Sequence, residues 1–375
     1  MIRFLCLLPT TVVSVALLTA CGGQSVSGST PTVTVLQASG QIESNTLRRA
    51  NTEGTKKATL YVGNQPFSGD ASISIYSNGG AKLLRSIPLA GRAEYGFIAS
   101  QQGFLFTWMP EGSNGKYPLD IYKERGAKLV QTLTFKQPLG LAIDESGNLF
   151  VQCALARVCE YPADAKIGVQ NTVSRTIQLK NSFSIQAIAT DPRSGNVALL
   201  VPPHLYVYPP GAIKPSWTIS NLNLAYFREM AFDYEGNLYV GSTYPSSPEV
   251  EVFSPGATSP TRTIVDSNGL YLDAIALDQG GNLYMLTGEC LRSCSTQPPP
   301  AVTVYAPGGS VPSRTVTDGI ETGVSLAMAV SGSGQLFVGN GGLPGNIVVY
   351  PSGANKPNRT ISQGVDQPTY LRVSQ

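Results

Sequence analysis

The sequence predicts an all-β fold: a seven-bladed β-propeller with four-stranded blades, closed by a C-terminal strand that completes blade one. Three observations predict it. A repeat recurs seven times at the spacing of propeller blades. The 375 residues include 39 Gly and 27 Pro, a composition suited to many short strands and turns. No stretch shows a sustained apolar period of 3.6 residues, so helix should be nearly absent.

The repeat reads apolar-x-Asp-x-x-Gly-Asn-Leu-Tyr-Val, then a variable loop, then Val-x-Val-Tyr-x-x-Gly-Ala and Arg-Thr-Ile. It is clear at 231–264, 276–316 and 328–361, recognisable at 142–177 and 189–219, and degenerate at 60–87 and 97–135. The apolar residue that opens the second strand of each unit falls at Leu60, Leu105, Leu149, Val197, Leu238, Leu283 and Leu336. Successive spacings of 41 to 53 residues match the length of a four-stranded blade.

Each unit divides into strands A to D, predicted in the fifth unit at 229–232, 238–241, 250–253 and 262–264. The Asp-x-x-Gly-Asn segment is the A–B hairpin, because its Asp can accept backbone amides and its Gly tolerates a positive φ. Turn caps are therefore predicted at Asp144, Asp191, Asp233 and Asp278. The Arg-Thr-Ile strand is predicted to be outermost, where its charge would blunt an exposed sheet edge.

Ring closure is predicted from the two ends of the repeat region. The first unit begins at strand B, in Lys57-Ala58-Thr59-Leu60-Tyr61, and the C-terminal 368–373 matches a strand A that no strand B follows. The last strand should complete blade one and hydrogen-bond the ring shut.

The N-terminus carries Arg3 and then an apolar run at 4–18, which is short for a membrane span of ~20 residues and fits a signal peptide. The following Leu18-Thr19-Ala20-Cys21 resembles the lipobox of bacterial lipoproteins. That resemblance implies a lipid on Cys21, which becomes the mature N-terminus. An ordinary cleaved signal with a chance cysteine is the alternative.

The predicted organisation is a lipoprotein signal peptide at 1–20, a lipidated N-terminus and flexible tether at 21–57, and the propeller at 58–375. We expect an exported chain anchored in the cell envelope through its lipid. Residue 22, directly after the lipidated cysteine, is Gly and not Asp. By the same resemblance, this implies that the lipoprotein is sorted to the outer membrane if the organism has one.

Four cysteines remain once Cys6 leaves with the signal and Cys21 is lipidated. They form two close pairs, Cys153 with Cys159 and Cys290 with Cys294, each at a connection between strands. Local disulfides in an oxidising compartment are predicted. The alternative is a zinc site, but the pairs lie in different repeats with no His beside them.

In these repeat motifs, residues 58–374 resemble the NHL-repeat propellers and their bacterial relatives. The motifs specify the structure of a blade and carry no catalytic chemistry. Streptogramin-lyase propellers have a similar blade pattern and imply a catalytic His beside a carboxylate. The single histidine, His204, has no acidic neighbour in sequence, so the activity is not carried over. Gluconolactonase-type propellers imply a channel metal, but turn geometry already explains the repeated Asp residues. No catalytic residue, metal or cofactor is predicted.

Ligand contacts are predicted on the face formed by the B–C and D–A loops, around the channel mouth. The B–C loops vary most, at 109–117, 242–249, 288–301 and 339–346. Equivalent positions at the start of strand A hold Gln186, Arg228 and Asp273, with Tyr226 and Tyr271 nearby. Aromatics beside a few charges suit a peptide or carbohydrate. Alternatively, the aromatics fill gaps between blades.

A net charge of +2 gives no basic stripe for nucleic acid, so no nucleic-acid partner is expected. The leading hypothesis is a monomeric envelope propeller that binds a protein, peptide or glycan ligand. Two others remain: a lyase or lactonase-like enzyme with a diverged site, and a purely structural component of the envelope.

Overall fold

Each repeat unit folds into a four-stranded antiparallel sheet, and seven such sheets form the predicted all-β propeller. The computed structural model describes residues 58–374 except 67–68, 78, 90–95, 100–101, 109–115, 137–139, 180–184, 221, 223–226, 245–246, 268–270, 289–297 and 323–325. The described residues contain no helix. Accordingly, no helix within these ranges is long and apolar enough to cross a membrane.

The first four blades follow one another in chain order. Blade 1 holds β1 (Leu60–Asn64), β2 (Ser72–Ser77) and β3 (Lys82–Pro88). Blade 2 holds β4 (Gly96–Ala99), β5 (Phe104–Trp108), β6 (Tyr117–Lys123) and β7 (Lys128–Phe135). Blade 3 holds β8 (Leu141–Ile143), β9 (Leu149–Ala154), β10 (Arg157–Tyr161) and, after the hairpin of β11 (Ala163–Asp164) and β12 (Gly168–Val169), β13 (Arg175–Gln178). Blade 4 holds β14 (Ala187–Thr190), β15 (Val197–Val201), β16 (His204–Tyr208) and β17 (Trp217–Ile219).

The remaining strands complete the ring. Blade 5 holds β18 (Phe227–Phe232), β19 (Leu238–Tyr244), β20 (Ser247–Phe253) and β21 (Arg262–Val265). Blade 6 holds β22 (Tyr271–Leu277), β23 (Leu283–Gly288), β24 (Ala301–Tyr305) and β25 (Pro312–Val316). Blade 7 holds β26 (Leu326–Val330), β27 (Leu336–Asn340), β28 (Asn346–Tyr350) and β29 (Arg359–Ile361), and β30 (Pro368–Val373) follows.

The closing strand is confirmed. β30 pairs antiparallel with β1, with Leu60 opposite Val373 and Val62 opposite Leu371, so blade 1 takes its innermost strand from the C-terminal end of the chain. The strand B starts are also confirmed, except that β5 begins one residue early, at Phe104. Hydrogen bonds between the first and last parts of the ring thus replace an open seam.

The hydrophobic core lies between the blades. The described buried residues form seven clusters, each shared by two adjacent blades. Both faces of a blade are therefore covered, which explains why β1, β15 and β27 are buried at every position. The tyrosines that end strand C, such as Tyr305 and Tyr350, are buried in these clusters and serve packing.

The Arg of the Arg-Thr-Ile strand has a different role from the predicted one. The strand is outermost, but its Arg side chain turns into the gap between blades. Arg262 Nη1 donates to the carbonyl of Gly309 at 2.9 Å, on the next blade, and its guanidinium lies 5.9 Å from the Tyr239 ring centre. Arg359 makes the equivalent bond across the closing seam, to the carbonyl of Gly79. The charge therefore joins neighbouring blades, because the partly buried carbonyls there need donors.

Two loop predictions also change. The predicted B–C loop at 242–249 is mostly strand, since β19 continues to Tyr244 and β20 begins at Ser247. The hairpin of β11 and β12, inserted between strands C and D of blade 3, is not predicted, and it accounts for the long spacing between Leu149 and Val197.

Candidate functional site: the central channel and its mouth

The seven A strands line the centre of the ring, and their sequences are small at fixed positions. The residues two and four before the turn-capping residue are Ala or Gly in blades 3, 4, 6 and 7. These are Gly140, Ala142, Ala187, Ala189, Ala274, Ala276, Ala327 and Ala329. In blades 6 and 7 these alanines pack against the cluster shared with the next blade. Small residues are needed at these positions because adjacent blades converge toward the axis.

Charged residues replace alanine at two of these positions. Glu229 of β18 stands four residues before Asp233, and Arg372 of β30 stands two residues before Ser374. Arg372 Nη1 lies 3.8 Å from Glu229 Oε1. The two strands belong to blades 5 and 1, which are not neighbours, so the pair spans the channel.

The Glu229 carboxylate is held in place from a third blade. Its Oε2 accepts the backbone N–H of Ile275, in β22 of blade 6, at 2.9 Å. Burial raises the pKa of Glu229 above its usual range, while Arg372 and the Ile275 N–H act in the opposite direction. Side-chain exposure is 29% for Glu229 and 46% for Arg372, so both charges remain open to the channel.

The predicted mouth residues lie at the start of the A strands. Gln186 is exposed and its N–H donates to the carbonyl of Leu200. Asp273 is also exposed, and Tyr271 is 38% exposed, so Tyr271 does not fill a gap between blades. Arg228 and Asp273 occupy equivalent β-bulges in β18 and β22. The side chain of Arg228 and the whole of Tyr226 lie outside the described residues.

A glycine shapes the mouth beside Asp273. A Cβ at Gly288 would fall 2.0 Å from Asp273 Oδ2, so the carboxylate occupies the space that a side chain at this position would take. Bulges commonly redirect a side chain near a binding site. The bulge and the glycine together set the position of Asp273.

The disulfide prediction is confirmed for one pair. Cys153 in β9 and Cys159 in β10 are bonded, with their Cα atoms 5.7 Å apart, across the B–C hairpin of blade 3. Cys290 and Cys294 lie outside the described residues, as does the predicted lipidation site Cys21.

The repeated aspartates cap turns, as predicted. Asp233 Oδ1 accepts the N–H groups of Glu235 and Asn237 at 2.9 Å, and its Oδ2 accepts Asn237 Nδ2. Asp144 and Asp278 make the matching bonds. Among the described residues, no group of three or more His, Cys, Asp or Glu side chains is placed to hold a metal ion.

His204 begins β16, directly after the two-residue turn Pro202-Pro203. Its ring centre lies 5.9 Å from that of Tyr206. β16 is the third strand of blade 4, whereas the strand of this blade that lines the channel is β14.

Two clefts lie on the opposite face, among the A–B and C–D turns. One of about 320 Å³ lies between blades 5 and 6, and one of about 290 Å³ lies between blades 3 and 4. Their polar groups already serve the fold: Asp233 caps its turn and Arg262 bonds Gly309 in the first, and Arg175 bonds blade 4 in the second. These two clefts are therefore a consequence of how repeated blades pack, and we do not assign them a ligand.

Glu229 and Arg372 belong to no motif in the sequence. The signal that could have found them is the alignment of the repeat units, in which a charge stands where other blades have alanine. Their proximity could not be found in this way, because it depends on ring closure.

The chain is a seven-bladed β-propeller. No protein-family model and no curated protein matches the sequence. Among solved structures it is similar to putative 6-phosphogluconolactonases from Bacteroides uniformis (13% identity, 85% of this chain and 100% of that chain, TM-score 0.61) and Bacteroides fragilis (14%, 86% and 99%, 0.58). It is also similar to AztD of Citrobacter koseri (12%, 84% and 97%, 0.53). At these identities the similarity is one of fold.

Proposed function

We propose that this chain is an exported, lipid-anchored binding module of the bacterial cell envelope, acting as a monomer. Its propeller would hold a peptide or glycan ligand at the channel mouth, on the face of the B–C and D–A loops. The observation that carries the proposal is the exposure of Gln186, Tyr271 and Asp273 together at the start of the innermost strands.

The mouth suits recognition for two physical reasons. An exposed tyrosine offers a large contact area at small entropic cost, and nearby amide and carboxylate groups can fix orientation by hydrogen bonds. These side chains stand on strands of a closed ring, so little ordering is required on binding.

Export is supported by the Cys153–Cys159 disulfide, because such bonds persist mainly in oxidising compartments. The lipid anchor depends on Cys21 and is tested separately. The Cys21→Ala variant should leave the membrane fraction, whereas the matched Cys6→Ala variant, in the apolar part of the signal, should stay there. Retention of Cys21→Ala in the membrane would contradict the anchor.

The binding function is tested with the full chain in detergent, screened by thermal shift against oligosaccharides and short peptides. A ligand at 100 times its dissociation constant adds roughly 2.7 kcal/mol of stability. The Tyr271→Ala variant should weaken binding about tenfold or more. Tyr234→Ala is the matched control, since Tyr234 is similarly exposed, 40% against 38%, but lies on the opposite face.

Equal loss of binding in Tyr271→Ala and Tyr234→Ala would contradict the mouth as the site. Two proteins of similar fold are named putative 6-phosphogluconolactonases, so hydrolysis of that lactone is assayed in parallel. Turnover by the wild-type chain would replace the binding module with an enzyme.

A further inference from the structure

We propose that Glu229 and Arg372 are the two poles of a channel site for a small zwitterion, a molecule that carries both an ammonium and a carboxylate group, such as a free α-amino acid or a short peptide. The proposal rests on the binding function above and deepens it, because it names the chemical class of the ligand. It concerns the channel just inside the mouth.

The first argument is the break in the repeat. Most equivalent positions in the described A strands hold alanine or glycine, which the converging blades accommodate without charge. Replacing a methyl group with a carboxylate or a guanidinium costs free energy of desolvation. Turn formation does not use these two charges, and most other blades pack with alanine or glycine at the equivalent positions. A role in recognition explains why both stand in the channel with opposite signs.

The second argument compares this pair with a structural ion pair of the same molecule. Arg175 and Glu160 are 2.6 Å apart in blade 3, and their side chains are 6% and 17% exposed. The channel pair is 3.8 Å apart and 46% and 29% exposed. Charge-assisted hydrogen bonds are normally about 2.7 to 2.9 Å long, so the channel pair is not a closed contact. Each group keeps bonding capacity for a ligand.

The third argument is the fixed position of one pole. Because Oε2 of Glu229 accepts the Ile275 N–H, its Oε1 is left facing Arg372 and the channel. A ligand ammonium would bind this oxygen, and a ligand carboxylate would bind the planar guanidinium through two parallel hydrogen bonds.

The test is isothermal titration calorimetry on the full chain with glycylglycine as the probe. Glycinamide, a cation alone, and acetate, an anion alone, are the matched ligands. Glycylglycine should bind the wild type at least tenfold more tightly than either. Glu229→Gln, Glu229→Ala and Arg372→Ala should each weaken its binding at least tenfold.

The alanine variants introduce the residue that other blades already hold there, so they should fold. Glu235→Ala and Lys356→Ala remove exposed charges elsewhere and should leave binding unchanged. Failure of glycylglycine to bind the wild type, or equal binding to wild type and channel variants, would overturn the proposal.

A purely structural brace gives a different pattern. The single and double channel variants would then all lower the unfolding midpoint by the same amount, and no probe would bind. If an oligosaccharide or longer peptide binds through Tyr271 but glycylglycine neither binds nor competes, the mouth function stands and the channel site alone is wrong.

Discussion

The turns between strands A and B and the inner strands that lead into them differ in how strictly they repeat. The turns of blades 3, 5 and 6 keep one arrangement: Asp144, Asp233 and Asp278 each accept the same backbone and Asn donors. Even where blade 7 has Ser331, its hydroxyl accepts the N–H of Gln335 at 3.0 Å. The inner strands keep alanine in most blades and then depart from it at Glu229 and Arg372. Repetition marks residues that build the blade, and departure from it marks candidates for recognition.

The largest expected effect on stability is at an Arg contact between blades, which recurs in the repeat. Arg175→Ala should destabilise the fold by about 3 kcal/mol, because it removes bonds to the Pro209 and Ala212 carbonyls and leaves Glu160 as an unpaired buried charge. Chemical denaturation measures the change. The double variant with Glu160→Gln should recover part of the loss. A cost below about 1 kcal/mol would show that the Arg contacts between blades are dispensable.

A turn cap should have the next largest effect. Asp278→Ala leaves the Asn282 N–H without its acceptor and the Tyr284 hydroxyl with only the Gly334 carbonyl, at 3.4 Å, and should cost about 2 kcal/mol. Asp278→Ser is the matched variant, since serine serves this position in blade 7, and it should cost about half as much. Ligand binding should be unchanged in both. If the two variants were equally unstable, the serine in blade 7 would not be an equivalent cap.

A smaller effect of opposite sign is expected in strand C of blade 5. Burial raises the pKa of Glu251, and the neighbouring carboxylate of Glu249 raises it further. Its Oε2 is buried with no hydrogen-bond partner among the described residues. A carboxyl group whose pKa is higher in the folded state stabilises the fold while protonated, and this contribution is lost as the pH rises through the folded-state pKa.

Glu251→Gln should therefore stabilise the chain by about 1 kcal/mol at neutral pH, because it removes a partly buried negative charge that has no hydrogen-bond partner among the described residues. The gain should disappear below the pKa of the free side chain, near pH ~4. Unfolding midpoints measured across a pH range from about 4 to about 8 give both values. A gain that is independent of pH would point to packing instead of charge.

The smallest effect on stability is expected at the mouth. In Gly288→Ala the new methyl group would displace the Asp273 carboxylate, whose side chain can rotate away, so stability should change by less than about 0.5 kcal/mol. Ligand binding should fall in Gly288→Ala, and the matched variant Asp273→Ala should lose binding to the same extent. Unchanged binding in Gly288→Ala would show that the position of Asp273 does not matter.

Much of the fold is predictable because one sequence repeat recurs in seven units. In blades 3, 5 and 6 the Asp and Gly of the A–B turn act through bonds within four residues, so the structure of these turns follows from the turn sequence alone. The unpaired strands at the two ends of the repeat region likewise predict the pairing of β30 with β1. The prediction for the Arg of strand D was wrong because its side chain reaches beyond its own blade and bonds the next one.

By itself the sequence determined the number of blades, their strands, the turn caps and the closing strand, since these depend on local hydrogen bonding and on the period of the repeat. The tertiary structure alone decided that the Arg side chains join neighbouring blades and that Glu229 meets Arg372. The first contacts need two blades packed side by side, and the second forms only after the ring closes, because closure brings the inner strands of distant blades to one axis.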